Sequence, residues 1–122
     1  MEKMRAMVLS ECAKIETNPL KSTIIDKHQI ERQNEILLKI EACGVCHSQL
    51  HGIEGDWKHI GIPASLPIVP GHEVVGEIVE IGKEVTKFKI GDRAGITPLL
   101  EACKKCQYCD EGKEYLCESS KI

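Results

Sequence analysis

Four cysteines within fifteen residues constrain this chain more than any other feature: Cys103-Lys-Lys-Cys106-Gln-Tyr-Cys109, then seven residues, then Cys117. Thiolates three residues apart on a turn can converge on one point, and the longer loop returns the fourth. Between Cys103 and Cys117 only Tyr108, Tyr115 and Leu116 offer apolar surface to pack. So polar a segment has little hydrophobic burial to hold it, and a bound ion would supply the missing folding free energy. Four sulfurs with no open position are the arrangement of structural zinc. An iron–sulfur cluster also takes four cysteines, in runs such as C-x2-C-x2-C-x3-C-P. Here the last spacing is seven and no proline follows Cys117. Zinc fits better. Lys104, Lys105 and Lys113 would offset part of the thiolate charge.

The chain holds seven cysteines in 122 residues. Its N-terminus, MEKMRAMVLSECAKIE, has neither the apolar core nor the small-residue cleavage site of a signal peptide. The expected location is therefore cytoplasmic, where thiols serve as metal ligands or small buried hydrophobes rather than disulfides. The length suits one domain with a modest core. Hydrophobic residues at 42% and charged residues at 29% are ordinary for a soluble globular protein. A net charge of −3 gives no reason to expect nucleic acid or an anionic membrane as partner. Aromatic residues at 3% argue against a base-stacking surface. No apolar run approaches the roughly 20 residues that span a bilayer.

Along the chain, RAMVLSE and STIID at 22–26 read as strands, and EILLKIEACG as the clearest one, with Ile36, Leu38 and Ile40 on one face. A short helix is expected to start at Cys46 and to be ended by Gly52 and Gly55. Residues 54–71 hold three prolines and three glycines and read as an irregular loop. The run HEVVGEIVEIG closes at Gly82, a short strand is expected around Phe88, and another after the Gly91-Asp92 turn. The fold class is mainly β (α+β), with short helical pieces and a separate cysteine lobe.

The stretch Cys43-Gly-Val-Cys46-His47 matches the C-x-x-C-H pattern of c-type haem attachment. It could equally be a metal-ligand segment, or a strand end holding two thiols. Haem attachment takes place outside the cytoplasm, which counts against the first reading. Cys46, His47, Ser48 and His51 place thiol, imidazole, hydroxyl and imidazole within six residues. Pro70-Gly71-His72-Glu73 sets an imidazole beside a carboxylate at the mouth of a strand. Catalytic zinc takes three protein ligands and keeps a fourth position open, and Cys46 with His72 would make two of the three. Ser48 and His51 alone carry little weight, because serines at helix starts are usually caps. Glu73 could be an ordinary strand-end carboxylate. Cys12 reads as buried, and His28 and His59 as solvated.

Taken in order, CGVCHSQLH at 43–51, GHE at 71–73, GDR at 91–93 and the four-cysteine lobe resemble zinc-dependent medium-chain alcohol dehydrogenases. GDW at 55–57 and AGI at 94–96 look like the yeast-type and bacterial members. The resemblance covers nearly the whole chain. It implies a GroES-like, partly open β-barrel over residues 1–122, with the structural zinc lobe at about 99–118. It also implies oxidation of alcohols to aldehydes or ketones, with zinc polarising the alcohol oxygen and NAD or NADP accepting hydride.

By the same resemblance, Cys46 and His72 are catalytic zinc ligands and Glu73 is the acid behind the metal. Ser48 takes the substrate's proton, and His51 passes it to solvent. His47 faces the cofactor's pyrophosphate, and Trp57 with the Pro98-Leu99 pair lines the substrate pocket. Cys103, Cys106, Cys109 and Cys117 hold the structural zinc. The match assigns metal binding to Cys46 and not to Cys43, which leaves Cys43 as a small core hydrophobe.

The family's third catalytic zinc ligand, a cysteine downstream of the lobe, is not among these residues. No G-x-G-x-x-G follows a strand, so the Rossmann cofactor half is also missing. The expectation is the N-terminal portion of a longer enzyme, inactive as this fragment and homo-oligomeric when full-length. Its partners would be small alcohols or aldehydes. The competing reading is a free-standing zinc-binding GroES-like interaction module, with its own partner interface.

Overall fold

The computed structural model describes all 122 residues, arranged as two small antiparallel sheets with two short helices. Strands β1 (Lys3–Leu9) and β2 (Leu20–Asp26) pair from Lys3↔Asp26 to Leu9↔Leu20. A 3-10 turn at Ile15–Thr17 links them, closed by Asn18 at φ 54°. An asparagine tolerates that left-handed conformation better than most residues. The second sheet runs β3 (Ile36–Cys43), β4 (Val74–Ile81), β5 (Arg93–Ile96), with β4 central.

Close backbone approach fixes the β3–β4 ladder. A Cβ on Gly76 would stand 2.3 Å from the Lys39 carbonyl oxygen, so only glycine lets the strands meet there. The register slips between Leu37 and Leu38 and again between Ile40 and Ala42. Such bulges turn a strand's side chains, and Ile40 ends 53% exposed instead of sharing a buried face with Leu38. The core is small: Val8, Leu9, Ile53, Ile78 and Cys117 are its buried hydrophobic members. Ile78 has no exposed surface, and its backbone is paired to Asp92 and Gly91 across the turn before β5.

Helix α1 (His47–Glu54) docks on the link between β1 and β2. The Ala13 N–H donates to the Ile53 carbonyl, the Ile15 N–H to the Glu54 carboxylate, and the Lys14 ammonium pairs with Glu54 at 3.0 Å. Gly52 lies inside this helix and does not end it; Gly55, at φ 81°, does. Residues 55–73 contain a 3-10 turn at Lys58–Ile60 and are stitched to β1 by the reciprocal Leu9–Ile68 bridge.

No strand forms around Phe88. The chain between Gly82 and Asp92 is used up in turns, including Val85 N–H to Gly82 O and Asp92 N–H to Lys89 O, so no backbone is left there for a ladder. Helix α2 (Gln107–Asp110) and a 3-10 turn at Glu114–Leu116 make up the cysteine lobe. Its neck is closed by an antiparallel bridge between Glu101 and Lys121 and by Arg32 reaching Glu101 at 3.3 Å. Tyr108, Tyr115 and Leu116 do not pack as a miniature core; all three are exposed. No helix is long and apolar enough to cross a membrane.

Candidate functional site

The sulfurs of Cys103, Cys106, Cys109 and Cys117 all lie within 4.8 Å of one another, and Cys117 is buried. Cys103 Sγ and Cys109 Sγ stand 3.9 Å apart. A tetrahedron of sulfurs each about 2.3 Å from zinc has edges of about 3.8 Å, whereas a disulfide needs about 2.05 Å. The spacing is that of a metal cage, and the donor set fits zinc.

The lobe's backbone begins the deprotonation that metal binding needs. The Lys105 N–H aimed at Cys103 lowers that thiol to about 6, and the thiols of Cys106 and Cys117 act in the same direction. Burial pushes Cys109 up to about 12, and neighbouring sulfurs add to the shift. One thiolate forms readily, but crowding resists further negative charge until a cation compensates for it.

The second cluster sits where β3 runs out and β4 begins. The pairing of Cys43 with Val74, with the Gly44 N–H donating to the Glu73 carbonyl at 2.8 Å, brings residues 43–46 beside residues 72–74. Cys46, extended at φ −85°, starts α1 from that margin. Ligand atoms of Cys46, His72 and Glu73 therefore gather within 4.8 Å. Ser48 does not cap the helix. Its Oγ lies 3.0 Å from Cys46 Sγ and 3.1 Å from His72 Nε2, between the two ligand atoms. Gly44 makes room, since a Cβ there would meet the Glu73 carboxylate at 2.2 Å. Thiol, imidazole and carboxylate suit zinc, and the three donors come from two different loops, as in an open catalytic site.

Two contacts were not legible in the sequence. The Gln49 side-chain amide sits directly on His72 Nδ1. The amide nitrogen lies at this contact and donates, so Nδ1 accepts, and Nε2 is the ring nitrogen turned towards Ser48. Asp56 Oδ2 lies 2.8 Å from His51 Nδ1.

His51 is also stacked by Trp57, with centroids 4.8 Å apart and planes 27° apart, and met edge-on by His47 at 5.1 Å. Trp57 is thus a neighbour of the histidine pair first of all. Leu99 is half-buried and Pro98 exposed. A cleft lined by Cys103, Cys106, Gln107, Tyr108, Cys117, Glu118 and Ser119 lies against the four-thiol cage, and neither Trp57 nor Leu99 lines it.

Cys43 is not a core residue. It is exposed, at the sheet margin where the ladder opens, with its thiol donating to the Gly44 carbonyl at 3.6 Å. Cys12 is half-buried, not buried, and its thiol donates to the Gly52 carbonyl at 3.6 Å. His28 and His59 are exposed, as expected.

This architecture is shared with known proteins. The family model for the alcohol dehydrogenase GroES-like domain matches residues 32–122, and the chain belongs to that family. It is 46% identical over 114 residues to an alcohol dehydrogenase of Geobacillus stearothermophilus, covering 93% of this chain and 31% of that protein. It is 38% identical over 101 residues to NADP-dependent alcohol dehydrogenase C 1 of Mycolicibacterium smegmatis, covering 83% of this chain and 28% of that one. The crystal structure of the alcohol dehydrogenase from the hyperthermophilic archaeon Aeropyrum pernix superposes with a TM-score of 0.79 at 30% identity, covering 98% of this chain and 33% of that one. The chain spans about a third of the length of these relatives.

Proposed function

We propose that residues 1–122 form the alcohol-activating domain of a zinc-dependent, nicotinamide-linked alcohol dehydrogenase, with the lobe at about 99–118 as a structural zinc site. One observation carries the reading: the Ser48 hydroxyl lies 3.0 Å and 3.1 Å from two converging metal-ligand atoms. A hydroxyl there is within reach of any alcohol oxygen that enters the same space.

Cys46 and His72 would hold the catalytic zinc, with the Glu73 carboxylate as a third donor among these residues. Bound zinc would supply Lewis acidity, lowering the pKa of the alcohol. Ser48 accepts the substrate's hydroxyl proton and His51 releases it towards solvent. Gln49 keeps His72 oriented. His47, the first residue of α1, would meet the cofactor's phosphates, and Trp57 and Leu99 would flank the approach of a small alcohol or aldehyde. The name of the Mycolicibacterium relative supports NADP as one candidate acceptor, with NAD the other. Homology along nearly the entire chain favours this reading over a free-standing interaction module.

Cobalt substitution tests it. The cobalt-loaded chain should show two spectroscopically distinct sites, one sulfur-only and one mixed. Ethanol should perturb only the mixed site, and Cys46→Ser should abolish it. A single site, or a second one indifferent to both alcohol and Cys46→Ser, would contradict the proposal.

A further inference from the structure

We infer that the Gly55-Asp56-Trp57 turn clamps His51 in one tautomer, so that this histidine gains and loses its proton only through Nε2. The inference rests on the reading of His51 as the residue that carries the substrate's proton away.

The backbone builds the clamp. Helix α1 ends in a paired arrangement: the Gly55 N–H donates to the Gly52 carbonyl at 3.3 Å and the Asp56 N–H to the His51 carbonyl at 3.0 Å. This is the six-to-one and five-to-two pattern of a Schellman motif, with Gly55 supplying the left-handed residue at φ 81°. The motif folds Asp56 back beneath the residue five before it. The same two residues that share a backbone hydrogen bond can then share a side-chain one, Asp56 Oδ2 to His51 Nδ1 at 2.8 Å. Gly55 has no cheap replacement. A Cβ there would stand 2.9 Å from Lys58 Cε and 3.0 Å from Cys12 Cβ, in a conformation that already disfavours one.

A carboxylate only accepts hydrogen bonds, so Nδ1 must carry a proton whether the imidazole is neutral or charged. Proton exchange is then confined to Nε2, which makes no hydrogen bond to any other protein group. Trp57, stacked on one ring face, and His47, meeting the ring at its edge, oppose rotation that would swap the two nitrogens. The His51 side chain keeps 37% of its surface exposed, so water can reach it. A relay needs both properties, a defined entry atom and an open exit. Asp56 is in this account a positioning residue, and GDW is a proton-handling element rather than only a pocket wall.

Long-range nitrogen–proton correlation spectra of the 122-residue chain read the tautomer directly. The wild type should show His51 protonated at Nδ1. Asp56→Ala should shift it to the Nε2–H form that free histidine prefers, and Asp56→Asn, whose amide oxygen still accepts, should keep Nδ1–H. Asp56 is exposed, so neither change threatens the fold. An Nε2–H form in the wild type, or no change in Asp56→Ala, would overturn the clamp. The spectrum needs neither cofactor nor turnover. A chain with the Nδ1–H tautomer but no alcohol-responsive cobalt site would uphold the clamp and refute the relay.

Discussion

Sulfur chemistry in the lobe differs from one residue to the next, and this is measurable. In the folded lobe Cys103, with its thiol near 6, favours the thiolate at pH 7, whereas Cys109, near 12, keeps its proton until metal displaces it. Only the thiolate attacks an alkylating reagent. Rapid iodoacetamide labelling at pH 7, begun as a chelator strips the metal and before the lobe unfolds, should therefore take Cys103 early and Cys109 last, as followed by peptide mass spectrometry. Below its lowered pKa Cys103 regains its proton, so its labelling rate should fall about tenfold between pH 7 and pH 5. Equal labelling of the two, or a pH-independent rate at Cys103, would count against the geometry described. That these cysteines, and Cys46 with His72 and Glu73, would gather was legible in the sequence, because metal chemistry limits which side chains can act and how far apart they can lie. Gln49 and Asp56 were not. Gln49 acts on a residue 23 positions away, and nothing in an amide's local sequence announces such a partner. Asp56 gains its role only once Gly55 has bent the chain back.

Among the elements, the β3–β4 ladder places the candidate site, since it brings the Cys46 loop beside His72 and Glu73. Gly76→Ala is the sharpest probe of it. Its Cβ would press on backbone atoms of Lys39, which cannot swing aside as a side chain could. The expected cost is about 1–3 kcal/mol, read from the denaturant midpoint. A change within about 0.5 kcal/mol would mean that the strands are not held at this separation. Apolar and β-branched runs between turn residues pointed to β1 to β5, although among these strands only β1 and β4 contribute residues to the buried core. The same reasoning erred at Phe88 and Ile40. An apolar residue cannot form a strand without a free partner backbone, and bulges redirect side chains in a way that no alternation pattern records.

At the scale of the whole molecule, the chain exposes 9183 Å². A compact monomer of 13.6 kDa would expose about 6,600 Å². Val45, beside the candidate catalytic ligands, is 98% exposed. So thin a core supplies limited stability, and the lobe has almost none of its own beyond Cys117. Cation binding by the four thiols is thus the claim on which the molecule's integrity depends. Composition alone pointed towards an ordinary small globular core. What it could not show is how little of that apolar content the chain buries against itself.

The most direct test is metal content with cysteine variants. Purified chain should carry tightly held zinc that survives in Cys46→Ser and is lost from Cys106→Ser, and exhaustive chelation should unfold the lobe. A chain that never yields zinc, yet keeps its lobe protected from proteolysis and its thiols shielded after chelation, would contradict the account.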